Sequence, residues 1–383
     1  MTNHENQDHK NILISISSIT GGGAEHVVES LCTALNDRYG IYCGYFKECR
    51  DRGDVMIEKG VKVVRLTDPN ETKTDYFSFL KMRKFCKDHD ISLIHAHDIH
   101  AMMNAVLVKL TMPSMKVVYT FHFGNYPNIA KNRYYFEKYF SMFADRLIAV
   151  GTRQAKAIRT TYRLSEKRLQ TLYNGVDALD MRDEQVEHRE DNDRPIIFGS
   201  ISTLIEQKGI PVLIDAVDIV NRRHPGRFKV VIAGDGPLKD ELIQRCKDRG
   251  VDQVIEFLGW VRDASESVLP GFDVFVQSSK WEAMSVVILE AMSAGKPIVA
   301  TDVGENAVVL EHEKSGVIIS PNDVQQLADA MERLLLDENL RKQLSKQAKQ
   351  RFIENYTVEK MADNYSKLFD SLIGESYPST HSS

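Results

Sequence analysis

The sequence has few cysteines, no long apolar run and only a small net charge, and each feature excludes a class of protein. Its five cysteines show no C-x-x-C spacing, which argues against a disulfide framework or a zinc site and indicates a reducing compartment. No run approaches the roughly 18 apolar residues of a membrane span, and the first eleven residues are too polar for a secretory signal. The net charge of −5 gives no reason to expect nucleic acid. We therefore expect a cytoplasmic protein, at most touching the inner face of a membrane.

The order of apolar runs indicates two α/β domains, as the length of 383 residues suggests. An apolar run from Asn11, a glycine turn and a helical pattern over Ala24–Leu35 predict a strand, a loop and a helix, the opening of a βαβ unit. A charged stretch over 177–194 interrupts the alternation, which resumes at Ile196. The segment Leu340–Ile373 is predicted to be helical throughout.

These patterns predict four regions. Residues 1–176 form a first Rossmann-like lobe, 177–194 a linker, and 195–355 a second Rossmann-like lobe. Residues 356–383 form a C-terminal helix that crosses back to the first lobe and ends in a frayed tail.

The strongest chemical signal lies between Trp281 and Thr301. Ser285 is suited to cap a helix that Gly295 and Pro297 terminate. The N-terminus of such a helix favours an anion such as a diphosphate. Glu282 and Glu290 would be roughly 12 Å apart along a helix axis, too far for the pair of a retaining glycosidase, at roughly 5 Å. The spacing matches the two ends of an extended ligand; the alternative is a helix with two solvated glutamates.

These two glutamates resemble the E-x7-E signature of glycosyltransferase family 4, and six further segments resemble motifs of that family in its order. The segments are Gly22-Gly23-Ala24-Glu25, Tyr119-Thr120-Phe121-His122, Asn174-Gly175-Val176-Asp177, Lys208-Gly209, Gly234-Asp235-Gly236-Pro237 and Phe257-Leu258-Gly259-Trp260. The resemblance covers nearly the whole chain. It implies the GT-B architecture, in which two Rossmann-like lobes face a central cleft, the first on the acceptor side and the second binding a nucleotide sugar.

The resemblance also implies roles for single residues. Lys208 neutralises the departing diphosphate, Glu282 binds the hydroxyls of the donor sugar, Glu290 binds the ribose, and His122 contacts the sugar near the reacting carbon. His122, Lys208 and Glu282 are thus the implied catalytic residues. The implied donor-binding residues are Gly22, Gly23, Thr203, Lys208, Leu258, Trp260, Glu282, Met284, Ser285, Val286, Val287 and Glu290. Without the resemblance, Lys208 would be an ordinary exposed lysine and His122 a structural histidine.

The sequence departs from the family pattern at two places. Thr203 stands where the family usually carries an arginine, so that one cation for the diphosphate is missing. Ala283-Met284 replaces a pair that is often Gly-Phe, which predicts a sugar pocket of different shape.

Two segments imitate metal sites. His95-Ala96-His97-Asp98-Ile99-His100 is rich in potential ligands, but at a strand end only His95 and His97 share a face. Asp191-Asn192-Asp193 matches the D-x-D of metal-dependent glycosyltransferases yet lies in the linker, where it is interpreted as a solvated charge run. We expect neither metal nor cofactor.

The predicted function is that of a retaining hexosyltransferase, with a UDP-sugar favoured as donor and a GDP-sugar next. The acceptor is expected to be a glycan or a lipid-linked glycan of bacterial cell-surface polysaccharide or glycolipid synthesis. The aromatic and basic segment Tyr126–Phe143 is suited to an acceptor groove or a membrane surface, or to packing within the first lobe. The alternative functions are a sugar-nucleotide epimerase, a glycosyl phosphorylase, or a degenerate module that binds nucleotide without turnover.

Overall fold

The computed structural model describes residues 10–68, 77–179 and 194–374. These residues divide into two compact units, one ending at Gly175 and resuming at Val358, the other spanning Val176–Thr357. Most of the linker, including Asp191–Asp193, and the tail beyond Gly374 lie outside the described residues.

The first unit is built on a parallel sheet of seven strands. Its strands are β1 (Asn11–Ile16), β2 (Gly40–Tyr45), β3 (Lys62–Arg65), β4 (Ile91–Ala96), β5 (Lys116–Phe121), β6 (Arg146–Ala149) and β7 (Leu169–Thr171). Their order in the sheet is β3-β2-β1-β4-β5-β6-β7. The order reverses direction between β1 and β4, which makes this pair the topological switch point, where open α/β sheets usually bind ligands.

Helices connect these strands as βαβ crossovers require. They are α1 (Gly23–Leu35), α2 (Asp51–Glu58), α3 (Ser78–Asp88), α4 (Ile99–Thr111), α5 (Lys131–Ser141) and α6 (Thr152–Tyr162). The strands are apolar along most of their length because a parallel sheet is covered on both faces.

The second unit is built on a parallel sheet of six strands. They are β8 (Ile196–Ile201), β9 (Phe228–Ala233), β10 (Ile255–Gly259), β11 (Val274–Gln277), β12 (Ile298–Thr301) and β13 (Val317–Ile319). The order β10-β9-β8-β11-β12-β13 places the switch point between β8 and β11. The helices are α7 (Ile210–Arg223), α8 (Lys239–Arg249), α9 (Ala264–Ser267), α10 (Val286–Ser293), α11 (Asn306–Leu310), α12 (Val324–Leu336) and α13 (Glu338–Asn355).

The C-terminal segment corrects the sequence-based expectation of one continuous helix over Leu340–Ile373. Helix α13 ends at Asn355, and a separate helix α14 runs over Val358–Ile373. The two residues between them leave the helix because Val176 donates its backbone N–H to the carbonyl of Tyr356 at 3.1 Å and forms a bridge with Thr357.

Helix α14 packs on the first unit, although it follows the second in sequence. Arg38 forms an ion pair with Asp363 at 2.6 Å, and the hydroxyl of Tyr39 donates to Asp370 Oδ1 at 2.6 Å. The rings of Tyr39 and Phe369 meet edge to face. The same helix covers the face of the sheet on which His95 lies.

Candidate active site

Lys208 lies in a single 3-10 turn, Glu206–Lys208, that follows β8 at the switch point of the second sheet. Gly209 ends this turn with a φ of 62°, and a Cβ at this position would lie 2.1 Å from the carbonyl oxygen of Ser278. Only glycine permits that approach. The Ser278 hydroxyl donates to the carbonyl of Lys208 at 3.1 Å. The turn is therefore fixed against the segment that follows β11.

Lys208 and Glu282 form an ion pair, with 2.7 Å between Nζ and Oε1. The Glu282 carboxylate also accepts from Ser279 Oγ at 2.8 Å and from Gln207 Nε2 at 3.4 Å. The two paired side chains are 20% and 9% exposed, so water screens the pair weakly and the attraction between the charges is strong. Gln207 precedes Lys208 and Ser279 lies three residues before Glu282, but neither belongs to a sequence motif.

The segment that carries Glu282 is held by hydrogen bonds on both sides. Thr301 Oγ1 donates to the carbonyl of Ser279 at 2.7 Å, and the backbone N–H of Glu305 donates to the carbonyl of Ala283 at 3.0 Å. Gly304 approaches so closely that a Cβ would lie 2.5 Å from the carbonyl of Glu282. The loop is therefore preorganised, as electrostatic stabilisation of a developing charge requires.

Ser285 does not cap α10 with its side chain, contrary to the sequence-based expectation. It occupies the N-cap position, but its hydroxyl accepts a hydrogen bond from Gln277 Nε2 at 2.6 Å instead. Gln277 is itself fixed, because Asn306 Nδ2 donates to its Oε1 at 2.9 Å. The Ser285 oxygen thus leaves the first N–H groups of α10 available to a ligand. Of the predicted backbone contacts, Met284, Ser285 and Val286 are buried and Val287 is partly buried.

Glu290 lies inside α10 and is only 5% exposed. Its carboxylate accepts a short hydrogen bond from the hydroxyl of Ser265 in α9. Ser265 could not be predicted from the sequence, because a helix of four residues leaves no periodic signal. Between Glu282 and Glu290 only the five residues Val286–Glu290 are helical. The rise per residue of an α-helix therefore does not give the distance between the two glutamates.

The predicted donor-binding residues Leu258 and Trp260 lie at the end of β10 and are 38% and 65% exposed. Strand β10 forms one edge of the second sheet. These two predicted donor-binding residues are thus exposed at the edge of the sheet, whereas those at the start of α10 are mostly buried.

Thr203 is exposed and brings no charge to the loop after β8. The hydroxyl oxygen of the adjacent Ser202 is buried and has no hydrogen-bond partner among the described residues. A cation lies at the start of helix α8, where Lys239 Nζ is 3.1 Å from Oδ2 of Asp235 in the loop that follows β9. That loop contacts the Thr203 segment directly, since the N–H of Leu204 donates to the carbonyl of Asp235 at 2.9 Å. Lys239 is therefore a candidate for the missing positive charge.

In the first unit, the glycine loop follows β1 and leads into α1. Its backbone N–H groups converge on the Glu25 carboxylate, which accepts from Thr20 at 2.5 Å, from Gly22 at 2.9 Å and from Gly21. Gly22 and Gly23 are exposed. The loop thus has the geometry of an anion-binding nest, with the chain's own carboxylate as its anion. An external phosphate at these donors has to displace Glu25.

His122 follows β5 and is partly exposed. Its Nε2 lies 2.8 Å from Nδ1 of the buried His97, whose own Nε2 lies 3.2 Å from Nδ1 of His95. Burial lowers the pKa of His122 to about 4, against the opposing charge of Asp98. The imidazole is therefore neutral near pH 7.

The histidine-rich strand end is a hydrogen-bonded cluster. Within residues 10–68, 77–179 and 194–374, no group of three or more His, Cys, Asp or Glu side chains has the arrangement of a metal site. His100 packs its ring against Phe46 at 4.7 Å.

A family model described as Glycosyltransferase Family 4 matches residues 21–178, and one described as Glycosyl transferases group 1 matches residues 181–351. An uncharacterized glycosyltransferase of Methanocaldococcus jannaschii is 27% identical over 287 residues, which are 70% of this chain and 73% of that protein. The O-antigen chain mannosyltransferase C of Escherichia coli is 25% identical over 370 residues, 92% of this chain and 95% of that protein.

Among solved structures, Anabaena HepE in complex with UDP and glucose superposes with a TM-score of 0.83 at 21% identity, covering 95% of this chain and 100% of that one. This likeness shows the GT-B fold of two Rossmann-like domains, each with a parallel sheet. One family model matches most of the first unit and the other most of the second. The chain is therefore a glycosyltransferase of family 4.

Proposed function

We propose that this enzyme transfers a hexose, with retention at the anomeric carbon, from a nucleotide-sugar donor to a hydroxyl of a glycan or a lipid-linked glycan. The observation that carries the proposal is the grouping of Lys208 and Glu282 at the switch point of the second sheet, before the helix that holds Glu290. A cation, a carboxylate and a helix N-terminus are the groups that a sugar diphosphate requires.

The division of roles follows from the burial and the partners of each side chain. Lys208 Nζ exchanges Glu282 for a phosphate oxygen when the donor binds, and its charge then stabilises the leaving nucleoside diphosphate. Glu282, freed from Lys208, accepts hydrogen bonds from sugar hydroxyls while Ser279 and Gln207 continue to orient it. Glu290, oriented by Ser265, accepts from the ribose hydroxyls.

We favour a UDP-sugar as the donor, with a GDP-sugar as the alternative. HepE, which shares the fold, was solved with UDP and glucose. The relative from E. coli is named an O-antigen chain mannosyltransferase, which supports a polysaccharide or glycolipid acceptor. We further propose that Lys208, the N-terminus of α10 and Lys239 meet the diphosphate charge without a metal.

A binding screen followed by a transfer assay tests this proposal. A nucleoside diphosphate at 100 times its Kd stabilises the protein by about 2.7 kcal/mol, so thermal shift identifies the base and the sugar. We expect nucleoside diphosphate to be released when donor and acceptor are both present, and activity to survive EDTA followed by dialysis. Release of nucleoside diphosphate without an acceptor, together with an epimerised donor sugar, would indicate an epimerase. Activity that depends on inorganic phosphate would indicate a phosphorylase. Binding without turnover marks the degenerate module, and restoration by magnesium contradicts the proposal of a metal-free site.

We also propose that α5 rests on an anionic membrane that carries the acceptor. Within the described residues, no helix has the length and apolar character needed to cross a membrane. Helix α5 nevertheless exposes Tyr135, Phe136 and Tyr139 to 54%, 47% and 54%. Its one acidic residue, Glu137, is fully buried, so the exposed charges of the helix are positive and complement anionic lipid.

In this proposal the aromatic segment both packs within the first unit and faces the membrane. Its inner face packs on the core and anchors the helix, since Glu137 accepts from the hydroxyls of Tyr119, Tyr126 and Tyr162 at 2.6, 2.5 and 2.5 Å. The outer face carries the exposed aromatics.

Vesicle binding tests the membrane proposal. Replacing Tyr135, Phe136 and Tyr139 together by serine is expected to weaken binding to vesicles of phosphatidylglycerol and phosphatidylcholine by about 10-fold or more, because each buried aromatic contributes roughly 1.5–3 kcal/mol. Co-sedimentation measures it, with Leu336→Ser as a control that removes an equally exposed apolar side chain elsewhere. Unchanged binding by the triple variant, or equal binding of the wild type to neutral vesicles, contradicts the proposal.

A further inference from the structure

Five side chains of the first unit form one continuous hydrogen-bonded chain that begins at His122 and ends inside the protein. His122 Nε2 lies 2.8 Å from His97 Nδ1, and His97 Nε2 lies 3.2 Å from His95 Nδ1. His95 Nε2 lies 2.8 Å from Thr120 Oγ1, which in turn lies 3.1 Å from the hydroxyl of Tyr365. His122 alone is partly exposed; the other four are at most 1% exposed.

Strand geometry explains why these residues meet. His95 and His97 are two residues apart at the end of β4, and Thr120 and His122 are two apart at the end of β5, so each pair shares one face of the sheet. The register of β4 and β5 pairs His95 with Val118, which places Thr120 and His122 further along beside His97. Helix α14 closes the inner end of the chain with Tyr365, whose ring centroid lies 5.0 Å from that of His95.

All three imidazoles are neutral at ordinary pH. Burial lowers the pKa of His95 to about 3 and that of His97 well below its usual value, and each is lowered further by neighbouring histidines. Burial lowers the pKa of His122 to about 4, with Asp98 the opposing charge. Burial raises the pKa of Tyr365, so the phenol keeps its proton. Each imidazole thus has one N–H donor and one acceptor nitrogen.

Neutral imidazoles couple the directions of all the bonds that they make. If one nitrogen of a ring donates, the other must accept, so the bonds of the three rings all point inward or all point outward. In the inward case Thr120 accepts from His95, and since Thr120 and Tyr365 share a single bond, the hydroxyl proton of one of them has no acceptor among the described residues. A buried hydrogen-bond donor without an acceptor destabilises the folded protein. In the outward case the protons of Tyr365, Thr120, His95 and His97 are all paired, and the Nδ1–H of His122 at the partly exposed end is left for a ligand.

We propose that Thr120 is a positioning residue, which together with Tyr365 starts a one-way hydrogen-bond chain through His95 and His97 so that His122 presents its Nδ1–H as a donor to a substrate oxygen. The last clause rests on the proposed function. Tyr365 donates to Thr120 Oγ1, Thr120 donates to His95 Nε2, and the Nδ1–H groups of His95 and His97 donate to the next ring.

The direction of the chain decides what His122 does. Its Nε2 lone pair is occupied by His97, and its outer nitrogen carries a proton. His122 therefore donates a hydrogen bond to a sugar oxygen and does not take the proton of the acceptor hydroxyl. Thr120 sets the direction of the hydrogen bonds, and His122 makes the contact with the substrate.

The protonated nitrogen is measured directly by NMR on the full-length protein labelled with 15N only at histidine. We expect the protons of His95, His97 and His122 all to lie on Nδ1, with each signal assigned by substitution of its histidine. Protons on Nε2 in all three rings would overturn the proposed direction. This result is independent of catalysis, so it stands or falls separately from the proposed function.

Thr120→Val and Thr120→Ser form the matched pair of variants. Valine keeps the shape and removes the hydroxyl, and we expect mixed protonation of His122 and a kcat/KM for transfer lower by about 3- to 10-fold, the effect of one hydrogen bond. The Kd of the bare nucleoside diphosphate is expected to stay unchanged. Serine restores the hydroxyl and is expected to recover both the Nδ1–H signal and most of the activity.

Two controls separate this role from a merely structural one. Tyr39→Phe removes a phenolic hydroxyl that also holds α14, through Asp370, but leaves the chain intact; the His122 signal should not change. In a His122→Ala background, Thr120→Val should cause no further loss of transfer activity. The proposal is wrong if Tyr39→Phe shifts the His122 signal as Thr120→Val does, or if the two losses at Thr120 and His122 simply add.

Discussion

Replacing Lys208 with alanine is expected to lower the turnover of sugar transfer by roughly 100- to 1000-fold, the usual effect of removing one preorganised group that stabilises developing charge. The ammonium is held by a fixed turn and pairs with Glu282 at 2.7 Å, with a side chain only 20% exposed. Loss of the nucleoside diphosphate builds negative charge in a site where water screens poorly. Steady-state kinetics with saturating donor measure the effect.

The same substitution leaves the Glu282 carboxylate largely buried without its cation, so stability has to be measured alongside activity. A Lys208→Ala/Glu282→Gln variant removes both charges and separates loss of fold from loss of catalysis. Lys314→Ala is the matched control, because Lys314 also pairs with a glutamate, Glu311, at 3.3 Å, but its side chain is 75% exposed. Near-normal turnover in a folded Lys208→Ala protein would show that Lys208 does not meet the leaving group.

Glu290→Ala is expected to weaken binding of both the nucleoside diphosphate and the complete donor, by roughly 10- to 150-fold. Hydrogen bonds to a charged group contribute about 1.5–3 kcal/mol, and the ribose is common to both ligands. Glu282→Ala is expected to leave the bare nucleoside diphosphate nearly unaffected and to reduce affinity for the donor sugar or its turnover. Calorimetry with both ligands on both variants measures the difference.

Ser265→Ala is the control for Glu290, because it removes the hydroxyl that orients the carboxylate and keeps the charge. A loss smaller than that of Glu290→Ala, again the same for both ligands, is expected. Equal losses of both ligands in the Glu282 and Glu290 variants would exclude the proposed division of roles.

The elements and their order could be predicted from the sequence, with particular exceptions. The apolar run from Asn11 is strand β1, the helix predicted over Ala24–Leu35 begins one residue earlier at Gly23, and the second series of strands starts at Ile196 as predicted. Two strands have no clear signal in the sequence. The glycines and tyrosines of β2, Gly40–Tyr45, interrupt its apolar run, and β7 has only three residues. Apolar periodicity is a local signal, and it weakens where a strand is short or rich in glycine.

The sequence by itself determined the two α/β units, the family motifs and the chemical types at Lys208, Glu282, Glu290 and His122, because these depend on residue identity and local spacing. Only the tertiary structure decided the partners. Glu282 is 74 residues from Lys208, Glu290 is 25 residues from Ser265, and Thr120 is 245 residues from Tyr365. Strand order and the return of α14 to the first sheet create these contacts. Hydrogen-bond partners depend on which strands are neighbours, which no local pattern encodes.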